Sequence, residues 1–463
     1  MNPGKVVDAP PLTQDMRFGP SYQTIPLNTV FDWRTDNPDF TGYAPAIEMC
    51  NGAGVCRKLN SGTMCPSYMA TRDERDTTRG RANALRNAMA GRIDHDELYS
   101  KEMYGVMDLC LGCKACQSEC PSAVDMAKIK AEYLVQYYEH NGLPMFNRMM
   151  GWLPSINRML YALPSFMRSL MIPLVNKVMA SQPVKEAMEQ IGIHPERSLP
   201  AYADQTFEEW FRNRAKVSVD ATPNGPVILF HDTWTNYNET HIGQAMVTVL
   251  EAAGYEVVLA TGRKCCGRPL ITGGQAHKAR PWIDHNVTML APHAKQGTPI
   301  VGAEPSCMLT LRDEYLSLAS SPQQAKVVAE QVFTFEEFVV REVEAGRFNL
   351  ELSSGTSLKA LLHGHCHQKA IVGNEASVAA LKAVGYDVEV INSGCCGMAG
   401  DFGYTTDHYE ISRAIGEDRL FPAVRNADDE TVIVASGTSC RHQIGDFTER
   451  KPVHLAEALA IRV

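Results

Sequence analysis

With 463 residues, 44% of them hydrophobic, the chain has material for about three ordinary cores. A net charge of −9 and a pI near 5.9 leave no basic surface for nucleic acid. The 14 cysteines, grouped as C-x2-C, CC and C-P in a long chain, point to metal chemistry in a reducing compartment rather than to disulfides.

The first residues, Met1 to Val7, carry no apolar signal region, and no run of eighteen apolar residues occurs anywhere. A cytoplasmic protein that does not span a membrane by itself is expected. Residues 1–45 are rich in Pro, Asp and Asn, lack helical periodicity, and are predicted to form an extended arm.

Residues 46–140 are predicted to be a helical, ferredoxin-like domain with two clusters. The run Cys110-Leu-Gly-Cys113-Lys-Ala-Cys116-Gln-Ser-Glu-Cys120-Pro121 has the spacing C-x2-C-x2-C-x3-C-P. In such runs three thiolates hold one cluster and the fourth reaches another. A structural zinc site prefers separated pairs of cysteines. Upstream, Cys50, Cys56 and Cys65-Pro66 repeat the loop with Ala53 at the middle place, so seven thiolates are available, one short of two full sets. By the swap rule Cys110, Cys113, Cys116 and Cys65 hold a 4Fe–4S cluster. Cys50, Cys56 and Cys120 remain for a second cluster, either 3Fe–4S or 4Fe–4S with a ligand that is not cysteine. Helices are predicted over Ala82–Ala90 and Met126–Tyr138, the latter capped by Asp125. Between the two cysteine runs, the charged stretch Thr71–Arg81 supplies donors that could hydrogen-bond a cluster.

Residues 141–216 form a linker punctuated by Pro144, Pro154, Pro164 and Pro173. Short amphipathic helices, each started by its proline, are expected there. No acidic residue occurs between Glu139 and Glu186, whereas Arg148, Arg158, Arg168 and Lys177 recur. That predicts a cationic, apolar face suited to helix packing or to a membrane or quinone-facing surface.

After a polar connection at 217–226 the chain repeats itself over 224–345 and 357–463. Each copy opens with a strand, Pro226–Phe230 or Lys359–Leu362, and continues with a helix ending in Ala252-Ala-Gly-Tyr-Glu-Val257 or Ala383-Val-Gly-Tyr-Asp-Val388. A strand then leads to Cys265-Cys266-Gly267 or Cys395-Cys396-Gly397, and a last strand to Cys307 or Cys440. The expected fold class is α+β multidomain: the helical cluster domain followed by two pseudo-symmetric Rossmann-like α/β lobes with cysteines at strand ends. Four histidines, His363, His365, His367 and His442, surround the second cysteine set.

Taken together, these motifs resemble the iron–sulfur subunits, or C-terminal halves, of FAD-linked D-2-hydroxyacid dehydrogenases of the D-lactate dehydrogenase and glycolate oxidase type. They are also similar to heterodisulfide reductase and anaerobic glycerol-3-phosphate dehydrogenase iron–sulfur subunits, which carry cysteine-rich CCG domains. The C-x5-C spacing of Cys50 and Cys56 resembles the three-iron site of succinate dehydrogenase iron–sulfur subunits. Asn2-Pro3-Gly4-Lys5-Val6-Val7 resembles the closing segment of the flavin oxidases, which implies an arm lying on a flavin-carrying partner. The fullest family pattern has five cysteines per copy. Cys366, Cys395, Cys396 and Cys440 survive in the second, with Gly437 at the fifth place. Cys265, Cys266 and Cys307 survive in the first, with Asp232 near the opening position and Glu304 at a missing one. The resemblance implies a further cluster in the second lobe and a degenerate or weaker site in the first. It implies an electron-transfer subunit taking electrons from FAD on a partner dehydrogenase subunit to a quinone or another acceptor, peripheral on the inner face of the plasma membrane. The alternative is chemistry at the second lobe itself, reducing a disulfide or a quinone. No dinucleotide fingerprint or phosphate loop occurs in this chain.

Overall fold

A computed structural model describes residues 4, 7–11, 13–14, 16–34, 41–215, 223–348 and 358–462. Of the Asn2–Val7 segment only Gly4 and Val7 are described, and the polar connection only from Pro223; the remaining expectations on these stretches lie outside the described residues.

Residues 43–141 form short helices joined by cysteine loops. Pro66 occupies the first helical position of Pro66–Thr71, directly after Cys65. The helix predicted from Ala82 begins earlier, at Thr78, because the Thr77 hydroxyl accepts from Gly80 N and caps it. Met126–Asn141 is capped by Asp125, whose carboxylate accepts from Lys128 N at 3.0 Å. The described arm is strapped to its own chain. The Val30 and Phe31 amides donate to Glu132, Lys128 Nζ donates to Asp32 O and sits 4.4 Å over the Trp33 ring, and Arg280 donates to Val30 O.

The linker departs from expectation. Its prolines do not divide it into short pieces: Met145–Tyr161 contains Pro154, and Ser165–Met179 contains Pro173. Only Pro144 and Pro164 precede helices, as caps. Pro173 is exposed and Pro154 half-buried, so solvent can serve the carbonyls that each ring leaves unpaired. Trp152, Ile156, Met159, Phe166, Leu170 and Leu174 are exposed along these helices. Arg148, Arg158 and Lys177 stand exposed among them. Arg168 does not: it is buried, donating to Glu209 Oε1 at 2.6 Å and Tyr161 O at 3.2 Å, because an inward guanidinium there bridges two helices. Among the described residues no helix is long and apolar enough to cross a membrane.

Beyond the linker lie two small parallel sheets in a mostly helical chain. The first comprises β1 (Pro226–Leu229), β2 (Glu256–Leu259), β3 (Ile300–Gly302) and β4 (Val332–Thr334), in the order β2-β1-β3-β4. The second comprises β5 (Leu358–Leu362), β6 (Tyr386–Val390) and β7 (Val432–Val434), in the order β6-β5-β7. A single parallel bridge from Val434 to Val453 stands where β4 would continue. The inner strands β1 and β3 are apolar and, past Pro226, buried along their length, as parallel strands covered on both sides must be, whereas the edge strand β6 turns Asp387 and Glu389 outward. Val227, Leu229 and Val301 join a core that also holds Ala360, Leu362 and Val434 of the second sheet, so the lobes share it. Ile228, Phe230 and Ile300 join the core of the cluster domain. The repeated Ala-x-Gly-Tyr phrase is a helix stop: Gly254 and Gly385 take φ of 82° and 86°, a left-handed turn that suits glycine before the next strand.

Candidate metal centres

In the cluster domain, the loop between the Lys101–Asp108 and Ala115–Glu119 helices bends through left-handed Gly112 and Lys114, which turns Cys110, Cys113 and Cys116 inward. These three and Cys65 line one small cavity with Arg81 and Met126. Arg81 is wholly buried and donates to Cys65 Sγ at 3.5 Å, Ser67 Oγ at 3.1 Å and Asp76 O at 2.6 Å. Of the charged run Arg81 donates to a cysteine, and the Asp76 carbonyl accepts from Cys65 Sγ at 3.4 Å. Burial pushes the Cys65, Cys113 and Cys116 thiols up, and for Cys113 and Cys116 neighbouring sulfur charges add to it. Buried thiols gathered this closely become thiolates together only around a cation, which is the donor chemistry of an iron–sulfur cluster.

Cys50 and Cys56 are buried on either side of Gly52 and Gly54, both with positive φ. Arg79 donates to Gly52 O at 3.2 Å, and the charges of Cys56 and Cys50 are among those that raise its pKa, behind its hydrogen bond to Glu74. Ala53 is exposed. Cys120 is half-buried where the Ala115–Glu119 helix ends. Glu119 accepts from the Thr63 and Met64 amides at 2.7 and 3.2 Å, tying the two cysteine runs together.

In the second lobe Cys366, Cys395, Cys396 and Cys440 are all buried. His363, Cys396 and Cys440 offer ligand atoms within 4.8 Å of one another. His363 Nδ1 pairs with Ser393 Oγ at 2.7 Å, whereas its buried Nε2 has no hydrogen-bond partner. A hydroxyl fixing one ring nitrogen while the ring faces the Cys396 thiol is the arrangement of a metal-ligating histidine. A hydrogen bond from Cys395 brings the Cys366 thiol down to about 6, and bonds from Cys395 and Cys440 lower Cys396 as well. Of the other three histidines, His365 caps the Cys366–Ile371 helix, His367 leaves the set to donate to Gly112 O at 2.9 Å, and His442 lines the cavity beside it.

The strand registers give the equivalences between lobes. Leu229 pairs with Val301 as Leu362 pairs with Val434. Counting on, Thr233 rather than Asp232 occupies the place of Cys366, Asp232 that of His365, and Phe230 that of His363. Asp232 and His365 do the same work, each capping a helix. The first lobe thus keeps Cys265, Cys266 and Cys307, with Cys266 Sγ 3.1 Å from Cys307 Sγ. All three of its thiols are raised; for Cys307 the bond to Cys266 lowers it, but burial and the charges of Asp232, Glu304 and Cys265 together outweigh that bond and push it up to about 11. Glu304 turns instead to the other lobe, accepting from Thr438 N at 2.8 Å.

Cys265, Cys266 and Cys307 of the first lobe and Cys366, Cys395 and Cys396 of the second line one cavity of ≈ 160 Å³, bordered by Leu111 and Gly112 of the cluster loop and by Met150, Leu153 and Pro154 of the linker. Lys114, between Cys113 and Cys116, is 1% exposed and pairs with Asp313 and, at 2.7 Å, with Glu314 of the first lobe. Arg268 grips the same Glu314 carboxylate through two bonds of 2.7 Å.

Residues 46–124 match the 4Fe-4S dicluster domain, and residues 228–312 and 361–445 each match the Cysteine-rich domain CCG. Over 295 residues the chain is 30% identical to a subunit of the anaerobic glycerol-3-phosphate dehydrogenase of Escherichia coli (strain K12), covering 62% of this chain and 72% of that one. The chain belongs to this family of iron–sulfur proteins. Family relatives include D-2-hydroxyglutarate dehydrogenase of Pseudomonas putida, 25% identical over 507 residues, 99% of this chain and 47% of the relative. Lactate utilization protein A of Bacillus thuringiensis (strain Al Hakam) is 26% identical over 250 residues, 51% of this chain and 99% of the relative. The chain spans about half the length of the D-2-hydroxyglutarate dehydrogenases it matches. His363 is the member of the candidate set that sequence singled out only as one of four histidines; its position directly after a central strand, three residues before Cys366, is the signal that marks it.

Proposed function

We propose that this chain is the iron–sulfur electron-transfer subunit of a flavin-dependent D-2-hydroxyacid dehydrogenase, for a substrate of the D-lactate, glycolate or D-2-hydroxyglutarate type. Electrons pass from FAD on a partner subunit to a quinone or another acceptor. Cys65, Cys110, Cys113 and Cys116 would hold one four-iron cluster. Cys50, Cys56 and Cys120 would serve the second cluster, and Cys366, Cys395, Cys396 and Cys440 with His363 a centre in the second lobe. Cys265, Cys266 and Cys307 would form the weaker site.

The observation that carries this reading is the bond from His367 to Gly112 O. His367 follows one candidate ligand, Cys366, and Gly112 precedes another, Cys113. Charge on Cys366 is, after burial, the largest influence raising the Cys113 thiol, so the two candidate centres are near neighbours. Bound clusters would supply one-electron carriers there; the chain's own residues hold them close, with Arg81 wholly buried and Lys369 half-buried beside them. The names of the relatives, two of them dehydrogenases, support the reading.

The shared cavity speaks for chemistry at the lobes themselves. At ≈ 160 Å³ it falls below the 300 Å³ or so of ordinary ligand sites, which favours transfer over catalysis there. The exposed apolar helices of the linker, with Arg148, Arg158 and Lys177, would rest on an anionic membrane surface.

Copurification tests the proposal. The chain alone should oxidise no hydroxy acid, and it should bind a flavoprotein whose substrate bleaches the iron–sulfur absorbance. Removing residues 1–10, which precede the strapped part of the arm, should weaken that association. A preparation that oxidises substrate unaided, or whose clusters stay oxidised beside a reduced flavin partner, would overturn it.

A further inference from the structure

The loop between Cys50 and Cys56 is where the candidate ligands of the cluster domain come closest to solvent. Asn51, Gly52 and Ala53 are exposed, whereas no residue of 110–116 is. Electron transfer falls off steeply with distance, so a protein that exchanges electrons with this domain gains most by docking over that loop.

The surroundings of the loop are basic. Residues 49–92 carry eight Lys and Arg against three Asp and Glu, in a chain whose net charge is −9. Contacts gather these cations onto the loop. Arg79 donates to Gly52 O at 3.2 Å and shares Glu74 with Arg57, the residue after Cys56. Arg17 of the arm donates to Cys50 O at 2.6 Å, and Arg92 donates to Arg17 O at 3.0 Å. The charge is not absorbed internally. Arg57, Arg72, Arg75 and Arg92 are exposed. Arg86 is 8% exposed, yet its Nε and Nη1, like Nε and Nη2 of Arg17, are buried without a hydrogen-bond partner.

Apolar side chains stand exposed among these cations: Met16 and Phe18 on either side of Arg17, Met49 next to Cys50, and Leu59 just beyond Cys56. Arginine, methionine and aromatic side chains are enriched in protein–protein interfaces, and the local positive charge selects an acidic partner. The linker helices already offer a face toward the acceptor, which leaves this one for the electron donor.

We propose that the basic face over the Cys50–Cys56 loop docks the flavin-carrying partner through an acidic surface, so that electrons enter the chain there. The choice of partner rests on the electron-transfer reading. Each transfer takes one electron from the partner's reduced flavin, filled by oxidation of the hydroxy acid, and the matching proton leaves to water on the partner.

The test takes the cluster-loaded full chain, reduced, and mixes it with two one-electron oxidants of opposite charge: ferric EDTA, an anion, and hexaammineruthenium(III), a cation. Each accepts one electron at its metal, and stopped-flow absorbance follows the clusters. On net charge alone the chain repels the anion, and salt should speed its reaction. A basic docking face reverses the sign. The ferric EDTA rate should fall about threefold or more as salt rises from about 0.01 to 0.1 M, and Arg72→Glu with Arg75→Glu should abolish that fall. The same double variant should associate with the flavoprotein of the copurified complex about tenfold more slowly. Arg72→Gln with Arg75→Gln, expected midway in both readouts, keeps the proposal falsifiable if charge reversal costs the clusters. A ferric EDTA rate that rises with salt in the wild type, or flavoprotein association unchanged in both double variants with clusters intact, would overturn the proposal. Loss of binding to anionic liposomes in the double variant, with unchanged flavoprotein association, would assign the face to a membrane and overturn it as well. The expected salt dependence in a chain that no flavoprotein binds would instead overturn the electron-transfer reading, and with it the choice of partner.

Discussion

Replacing Glu314 by Gln should loosen the cluster loop from the first lobe. Glu314 is 5% exposed on its side chain and neutralises two inward-facing cations, Lys114 at 2.7 Å and Arg268 through two bonds of 2.7 Å. Burial pushes its carboxyl up, but Arg268 and Lys114 more than reverse this and hold it well below the usual carboxylate range. Gln keeps the shape but removes the charge, leaving Lys114 with Asp125 and Asp313 and Arg268 with Asp313 as the remaining acids. Breaking a buried pair by removing one partner costs about 3–5 kcal/mol. That is a change of roughly two to four powers of ten in the equilibrium between docked and undocked loop. Hydrogen exchange of the amides at 110–116 reads it directly, and the urea midpoint should fall with it. The pH dependence follows from the sign of the shift. A carboxyl depressed in the folded state contributes fully above its unfolded pKa of about 4.3 and loses that contribution as pH falls toward the folded value. The deficit of Glu314→Gln should therefore be constant from pH 7 to pH 5 and shrink only below about pH 4. Unchanged exchange at 110–116, or a deficit that grows as the pH falls, would refute the account.

Ala53→Cys puts a thiol at an exposed place in the loop of Cys50 and Cys56, and should convert a three-iron electron paramagnetic resonance signal into a four-iron one. An unchanged spectrum would mean that the fourth position is already filled. His363→Ala should remove iron from the second lobe while the cluster domain keeps at least seven irons; loss of iron from both would mark His363 as a packing residue. Replacing Arg148, Arg158 and Lys177 together by Glu should release the protein from anionic liposomes, by about 3 kcal/mol at roughly 1 kcal/mol per cation. Wild-type protein that ignores such liposomes refutes the membrane face. Arg168→Glu should destabilise the linker instead, since it breaks the bond to Glu209.

The cysteine spacings made much of this legible, because thiolate geometry leaves few options. The repeat in the lobes was equally plain, since the same Gly-Tyr stop and the same cysteine endings recur. Three things were hidden. Proline signals helix ends only when the unpaired carbonyl has no other outlet, and at Pro154 and Pro173 the helix surface supplies one. Arg168 looks like its neighbours in sequence, and only the fold turns it inward to Glu209. The equivalence of Thr233 with Cys366 depends on strand register, which a gap-free comparison of the lobes does not supply.

The sealing of the cluster loop bears on how the protein is made. Cys113, Lys114 and Cys116 are buried, with His367 over Gly112 on one side and Glu314 on Lys114 on the other. A delivery protein carrying iron and sulfide would meet Cys113 and Cys116 covered once both lobes have docked, with only Cys110 of the set half-exposed. A cluster held by Cys113 and Cys116 would then be loaded most readily in chain order, while the lobes are still emerging or open, and their docking would cover it.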